Sequence, residues 1–208
     1  MLEHLDWIYV TDAARESATI LKARELSAEH GVEPISPVIG AQYAVATATT
    51  QAQNIIEIGT GFGVSGLWLL SGAPTATLTS IDDEYDRHEQ SKPLFTEAGY
   101  AANHVRLITG RAADVLPRMN ENTYDVAVVD GDPSQLLFNV EHALRLVRVG
   151  GIVLIPHALW KGEVAEPAKR GAVPSALRAI MKNATDDENQ VWSLLPAGDG
   201  LLQIVKTA

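Results

Sequence analysis

The sequence predicts an α/β fold with a mostly parallel sheet covered by helices on both faces. Short apolar runs alternate with amphipathic segments from Asn54 onward, and the most informative run ends in a glycine-rich turn that opens a helix. The chain closes on two apolar runs around Gly198-Asp199-Gly200, which predicts a hairpin and an antiparallel edge.

Before the sheet, Thr11 to His30 is rich in Ala, Glu and Leu, with Ala14, Ala18, Leu21 and Leu26 on one stripe, and reads as one helix stopped by Gly31. Pro34 and Pro37 mark a bend, and Val38 to Thr50 reads as a second helix. Strands are expected at Asn54–Gly59, Ala76–Asp82, Val105–Thr109, Asp125–Asp130, Gly151–Pro156, Gln190–Leu195 and Leu201–Val205. The intervening helices are Val64–Leu70, Asp86–Ala98, Ala112–Met119, Gln135–Leu146 and Pro174–Lys182. The expected organisation is one domain over 1–208, with N-terminal helices in 1–50, a sheet core in 51–208 and an irregular insertion near 161–173 on the substrate side.

Composition narrows the partners. The 208 residues carry a formal charge of -10, are 46% hydrophobic and 20% charged, and include no cysteine. Thiolate catalysis, disulfides and cysteine-bound zinc are excluded. Clustered Lys and Arg are absent, so neither nucleic acid nor an anionic membrane is the expected partner. Met1 to Val10 is interrupted by Glu3, His4 and Asp6, so no signal peptide is read and a cytoplasmic location is expected. Trp7, Ile8 and Tyr9 bring apolar groups to the N-terminal helices and point to a homodimer.

The segment from Ile55 to Ser65 has Glu57 two positions before a turn spaced Gly59-x-Gly61-x-Gly63. Glycines let a backbone approach a ligand, and the amides at the following helix start hold an anionic group. Asp82 ends the next apolar run and can accept from two ribose hydroxyls, with Asp83 beside it. Nicotinamide binders use G-x-G-x-x-G around a pyrophosphate, which a carboxylate at Glu57 would repel. A cationic amino-acid group suits Glu57 better, so S-adenosylmethionine fits more closely than NAD. Asp130-Gly131-Asp132 closes a third apolar run beside the same turn.

These pieces, with Ile35-Ser36-Pro37, Tyr124 to Asp132, Leu159-Trp160 and Asp199-Gly200-Leu201, make the chain resemble the S-adenosylmethionine-dependent O-methyltransferases of the catechol and caffeoyl-CoA type, especially their small bacterial branch. The resemblance implies a Rossmann-like class I methyltransferase fold, with seven strands in the order 3-2-1-4-5-7-6 and strand seven antiparallel. It also implies that Val38 touches the methionine part, and that Glu57, Gly59, Thr60, Gly61 and Ser65 line its amino and carboxylate groups. Asp82 with Asp83 would meet the ribose, Arg111 and Ala112 the adenine, and Asp130 and Asp132 the reacting end. The implied reaction is methyl transfer to a hydroxyl of a small, aromatic-type molecule.

The chain departs from the metal-dependent members. Asp130 stands at the first metal-ligand position, but Pro156 and His157 replace the later acidic and Asn pair, and Pro133 replaces the expected lysine base. A divalent metal is therefore not expected. His157 reads as a general base, as a nitrogen ligand joining Asp130 and Asp132 around a transition metal, or as a strand-end histidine bonded to backbone. Trp160 reads either as a wall for an aromatic substrate or as core packing. Tyr85 either covers the adenosine or caps a helix. Asp199 is expected to make the turn and nothing more, and His4, His30, His88, His104 and His142 to lie on the surface. The alternatives to an O-methyltransferase are a protein of this fold that kept the cofactor site but lost catalysis, and an NAD-dependent oxidoreductase.

Overall fold

A computed structural model of the chain describes residues 4–208. The readings of residues 1–3 and of the His4 side chain lie outside the described residues. The helix expected over Thr11–His30 is two helices, α1 (His4–Ala13) and α2 (Ala18–Glu29). The break comes at Ser17, whose hydroxyl accepts from Ile20 N at 3.2 Å and so starts α2 afresh. Ser36 caps α3 (Pro37–Thr49) in the same way, with Pro37 pre-set for the first turn.

The sheet then builds as β1 (Asn54–Ile58), α4 (Val64–Gly72), β2 (Thr77–Asp82), α5 (Tyr85–Glu97), β3 (Val105–Thr109), α6 (Ala112–Val115), β4 (Tyr124–Val129), α7 (Leu136–Leu146), β5 (Val147–Pro156), α8 (Ala172–Asp186), β6 (Gln190–Leu195) and β7 (Leu201–Lys206). Helix α6 stops short of the expected Met119 because Pro117 tightens the chain into a 3₁₀ turn over Leu116–Arg118. The strand order is β3-β2-β1-β4-β5-β7-β6. β7 runs antiparallel to both β5 and β6, while the other pairings are parallel. This is the predicted order and the class I methyltransferase architecture.

Each central strand feeds two cores by its period of two. Val126 and Val128 of β4 pack with α3 and α4, while Ala127 and Val129 pack with α7 and α8. In β1, Ile55 belongs to the first core and Ile56 and Ile58 to the second. Glu57 therefore faces the first core, under α3 and α4, and is fully buried. The parallel register sets Glu57 opposite Ser80 and Asp82 opposite Thr109. The ends of β1, β2 and β4 thus bring their polar residues to one crevice, where the strand order reverses direction.

Candidate active site

A cavity of about 620 Å³ opens at those strand ends. Its lining includes Gly59, Thr60, Gly61, Ser65, Asp82, Asp83, Arg111, Ala112, Asp130 and Asp132, all of them sequence-predicted. Glu57 is not in the lining; it directly precedes the lining residues Ile58 and Gly59, is fully buried, and its carboxyl feels the hydroxyl of the lining Ser65. Val38, in the first turn of α3 and half-buried, is not in the lining, nor are His157 and Trp160. The lining also includes Glu33, Phe62, Arg87, Gln135 and Asn139, which carry no distinctive spacing in the sequence. Glu33 directly precedes the bend at Pro34, and Phe62 lies inside the glycine turn between Gly61 and Gly63, the local signals that could have pointed to them.

The loop after β1 is shaped by close packing. Gly59 has φ +96°, and a Cβ there would stand 2.2 Å from the Asp130 carbonyl oxygen. Only glycine lets the turn lie against the end of β4. Asp82 then fixes the loop from the side. Its Oδ2 accepts from the backbone of Thr60 at 3.0 Å and Gly61 at 3.1 Å, and its Oδ1 from Glu84 N at 3.0 Å and the Arg87 guanidinium at 3.2 Å. Asp82 is thus an organiser of the loop as well as a lining residue. These four donors fill the carboxylate's acceptor sites, so the expected ribose contact would have to displace one of them, and the Arg87 guanidinium is the longest of the four.

Glu57 is the dominant electrostatic feature. Burial pushes its carboxyl up to about 8, against the pull of the Ser65 and Ser80 hydroxyls, and the nearby Asp130 and Asp82 push the same way as burial. Ser80 donates to Oε2 at 2.6 Å, and Oε1 is buried without a hydrogen-bond partner. An orphaned, buried carboxylate oxygen beside a cavity is a place for a cation. Tyr43, on α3, is a further buried group with an unpartnered hydroxyl, held well above its usual range by burial and by Asp130 and Glu57. Its neighbours in sequence are apolar and alanine-rich, so it reads locally as core.

At the opposite end stands His157, just beyond β5. Its Nε2 lies 4.0 Å from Asp130 Oδ1 and its Nδ1 3.8 Å from Asp199 Oδ2. Partial burial pushes Asp130 up to about 6, and His157 pulls it the other way. The turn that presents His157 is strained: His157, Trp160 and Lys161 have φ of +56°, +47° and +54°. The β6–β7 hairpin holds it there. Ala158 N donates to Gly200 O at 3.1 Å, Leu159 N to Asp199 O at 2.8 Å and Lys161 N to Asp199 Oδ1 at 2.8 Å. Asp199, expected from sequence to make the turn and nothing more, therefore has further partners, because the antiparallel hairpin brings it across to His157.

Trp160 is half-buried against the second core, the packing of its two readings. Tyr85, at the start of α5, is largely exposed and outside the lining. His88, expected on the surface, is buried: its Nε2 lies 2.9 Å from Thr60 Oγ1 and its Nδ1 2.9 Å from Thr109 Oγ1. The helix α5 looks solvated along its length, yet these partners turn His88 inward.

The donor set does not fit a divalent metal. Asp132 is spent on its own turn, accepting from Ser134 N at 2.9 Å and Ser134 Oγ at 2.7 Å, which hold it below the usual carboxylate range. Pro156 offers no side-chain donor, and the two ring nitrogens of His157 face opposite carboxylates, so one ion could not take all three. Among the described residues no group of three His, Asp or Glu is placed to hold a metal ion. No helix among them is long and apolar enough to cross a membrane.

Comparison with known proteins identifies the family and the fold. The model of the O-methyltransferase family matches residues 14–207. A relative from Mycobacterium sp. (strain JLS), named "Putative O-methyltransferase", is 39% identical over 188 residues, covering 90% of this chain and 86% of the relative. A crystal structure from Corynebacterium glutamicum superposes with a TM-score of 0.90 at 29% identity, covering 99% of this chain and 98% of that one. The O-methyltransferase TomG of Streptomyces achromogenes, involved in tomaymycin synthesis and solved with SAM, shares the fold with a TM-score of 0.88 at 24% identity over the whole of both chains.

Proposed function

Because the chain belongs to the O-methyltransferase family, we propose that it moves the methyl group of S-adenosylmethionine onto a hydroxyl of a small, aromatic-type molecule, within a single domain over 1–208. The observation that carries the donor assignment is the buried Glu57 with its free Oε1 beneath the glycine loop. When bound, the donor supplies a methyl on a cationic sulfur, from which an acceptor oxygen displaces a neutral thioether.

The residues divide the remaining work. Glu57 holds the donor's ammonium, Gly59, Thr60, Gly61 and Ser65 surround its amino-acid end, with Val38 behind, and Asp82 with Asp83 receives the ribose. Arg111 and Ala112 flank the adenine. Asp130 and Asp132 stand at the acceptor's side, with Trp160 behind the turn that carries His157. The C–O bond forms as the C–S bond breaks with its electron pair on sulfur, and the acceptor's hydroxyl proton passes to His157 Nε2. Asp199 stands at the far side of the imidazole and stabilises the cation that forms, in the manner of an orienting carboxylate. No metal enters this scheme.

Calorimetric titration of S-adenosylmethionine into chelator-treated protein tests the donor site, and absence of binding overturns it. A panel of phenolic acceptors then tests the chemistry. His157→Gln is expected to bind the donor as wild type does and to lose about 10²- to 10⁴-fold in transfer rate. Full activity in that variant removes the base assignment. Donor binding with no transfer to any acceptor favours the reading in which catalysis is lost. The exposed Ile8, Tyr9 and Val10 of α1 support a homodimer, and the acidic, cysteine-free composition a cytoplasmic setting.

A further inference from the structure

A line of hydrogen-bonded side chains runs from Glu57 across the sheet, and nothing in the scheme above uses it. Ser80 Oγ donates to Glu57 Oε2 at 2.6 Å, Thr60 Oγ1 lies 2.6 Å from Ser80 Oγ, and His88 Nε2 lies 2.9 Å from Thr60 Oγ1. His88 Nδ1 then meets Thr109 Oγ1 at 2.9 Å. Glu57, Ser80, Thr60 and His88 are buried, whereas Thr109, at the end of β3, is exposed. The chain joins a carboxylate with no exposed surface to the rim of the sheet.

Each hydroxyl carries one proton, so the line has two polarisations. With Glu57 ionised, Ser80 donates to Glu57, Thr60 to Ser80, His88 Nε2–H to Thr60, and Thr109 to a bare Nδ1. With the Glu57 proton on Oε2 every bond reverses and His88 carries its proton on Nδ1, whereas a proton on the unpartnered Oε1 leaves the line as it stands. The reversed state needs a neutral imidazole, because Nε2 must accept, and the first state is drawn with one as well. Burial pushes His88 below its usual value, outweighing the opposite pull of Asp82 and Glu89.

We propose that His88 is a positioning residue of the donor site: by presenting Nε2–H to Thr60 it holds the line polarised toward Glu57 and keeps that carboxylate ionised against the donor's ammonium group. The proposal rests on the donor reading above. Around Glu57, Asp130 at the end of β4 and Asp82 at the end of β2 oppose its charge, Ser65 on α4 and Ser80 on β2 favour it, and Tyr43 on α3 adds an unpartnered hydroxyl. Arg87 is engaged by Asp82.

With the free carboxyl at about 8, a cationic donor must displace its proton below that pH. Anything that weakens the ionised state then lowers affinity below about pH 8 and leaves it unchanged well above, where Glu57 is ionised in all forms. The test is donor affinity of His88→Leu and His88→Gln relative to wild type, titrated with S-adenosylmethionine from about pH 6 to 10; titration of the ligand itself cancels in the ratio. His88→Leu removes the N–H, and its affinity deficit of about tenfold is expected near pH 7 and to close toward one at high pH. His88→Gln keeps an N–H for Thr60 and is expected to restore the wild-type profile. A deficit equal at every pH, or none at any, overturns the proposal. A measurement that needs no variant is the nitrogen NMR signature of His88 in the wild-type complex: Nε2–H is expected, and Nδ1–H overturns it. A protein that binds no donor at any pH sinks the donor reading itself, whereas a bound donor with a pH-independent deficit sinks only the role of His88.

Discussion

Replacing Gly59 by alanine tests whether the glycine turn is held by contact with β4. The new Cβ would sit 2.2 Å from the Asp130 carbonyl oxygen and 2.6 Å from its carbon, where ordinary contact begins near 3.4 Å. The turn or the end of β4 must therefore move by about 1 Å, at a cost of about 1–3 kcal/mol for overpacking. The positive φ of +96° adds about 1–3 kcal/mol of backbone strain. A chain of this size loses about 2–4 °C of melting temperature per kcal/mol, so Gly59→Ala is expected to melt about 4–24 °C lower. A shift of about 1 Å at the donor loop is expected to slow methyl transfer about 100-fold. Gly61→Ala is the steric comparison, because the nearest atom to its Cβ is Val32 Cγ1 at 3.9 Å, and φ there is +50°. That variant bears only the left-handed penalty of about 1–2 kcal/mol. Thermal melts and single-turnover transfer read both. A Gly59→Ala protein that melts no lower than Gly61→Ala refutes the packing argument.

Two further outcomes concern stability. Asp125 Oδ2 accepts from Gln53 N at 2.7 Å and Asn54 N at 2.8 Å, while Arg148 donates to Oδ1 at 2.7 Å, so Asp125→Ala frees the start of β1 and is expected to cost about 2 kcal/mol in denaturant unfolding. Glu57 has a folded value near 8 against an ordinary 4.5, so the native state holds its proton more tightly than the unfolded chain. Its contribution is fully present below pH 4.5 and lost as pH rises through 8. Wild type is therefore expected to lose stability relative to Glu57→Gln across that window in thermal melts, and parallel curves for the two proteins would contradict the burial of the charge.

Local pattern carried much of the architecture. Short apolar runs bounded by turn residues mark all seven strands, and the carboxylates Glu57, Asp82 and Asp130 are legible because each sits in or at the end of such a run. Proline and serine chemistry marks the start of α3, while the separate start of α2 at Ser17 is masked by the continuous Ala- and Leu-rich stripe around it. What the pattern could not reach is whatever depends on which segments become neighbours. Ser80 meets Glu57 only because the β1–β2 register pairs them, and His88 lies buried only because Thr60 and Thr109 converge on it from two strand ends. Asp199 meets His157 through the antiparallel pairing of β5 and β7. The amino-acid sequence by itself determined the elements, the glycine turn and the acidic strand ends, since these follow from nearest-neighbour sterics and periodic burial. Tertiary structure alone decided the relay behind Glu57 and the Asp199 carboxylate at the far side of His157, because side-chain partners 20 or more residues apart in the chain are chosen by register and strand order.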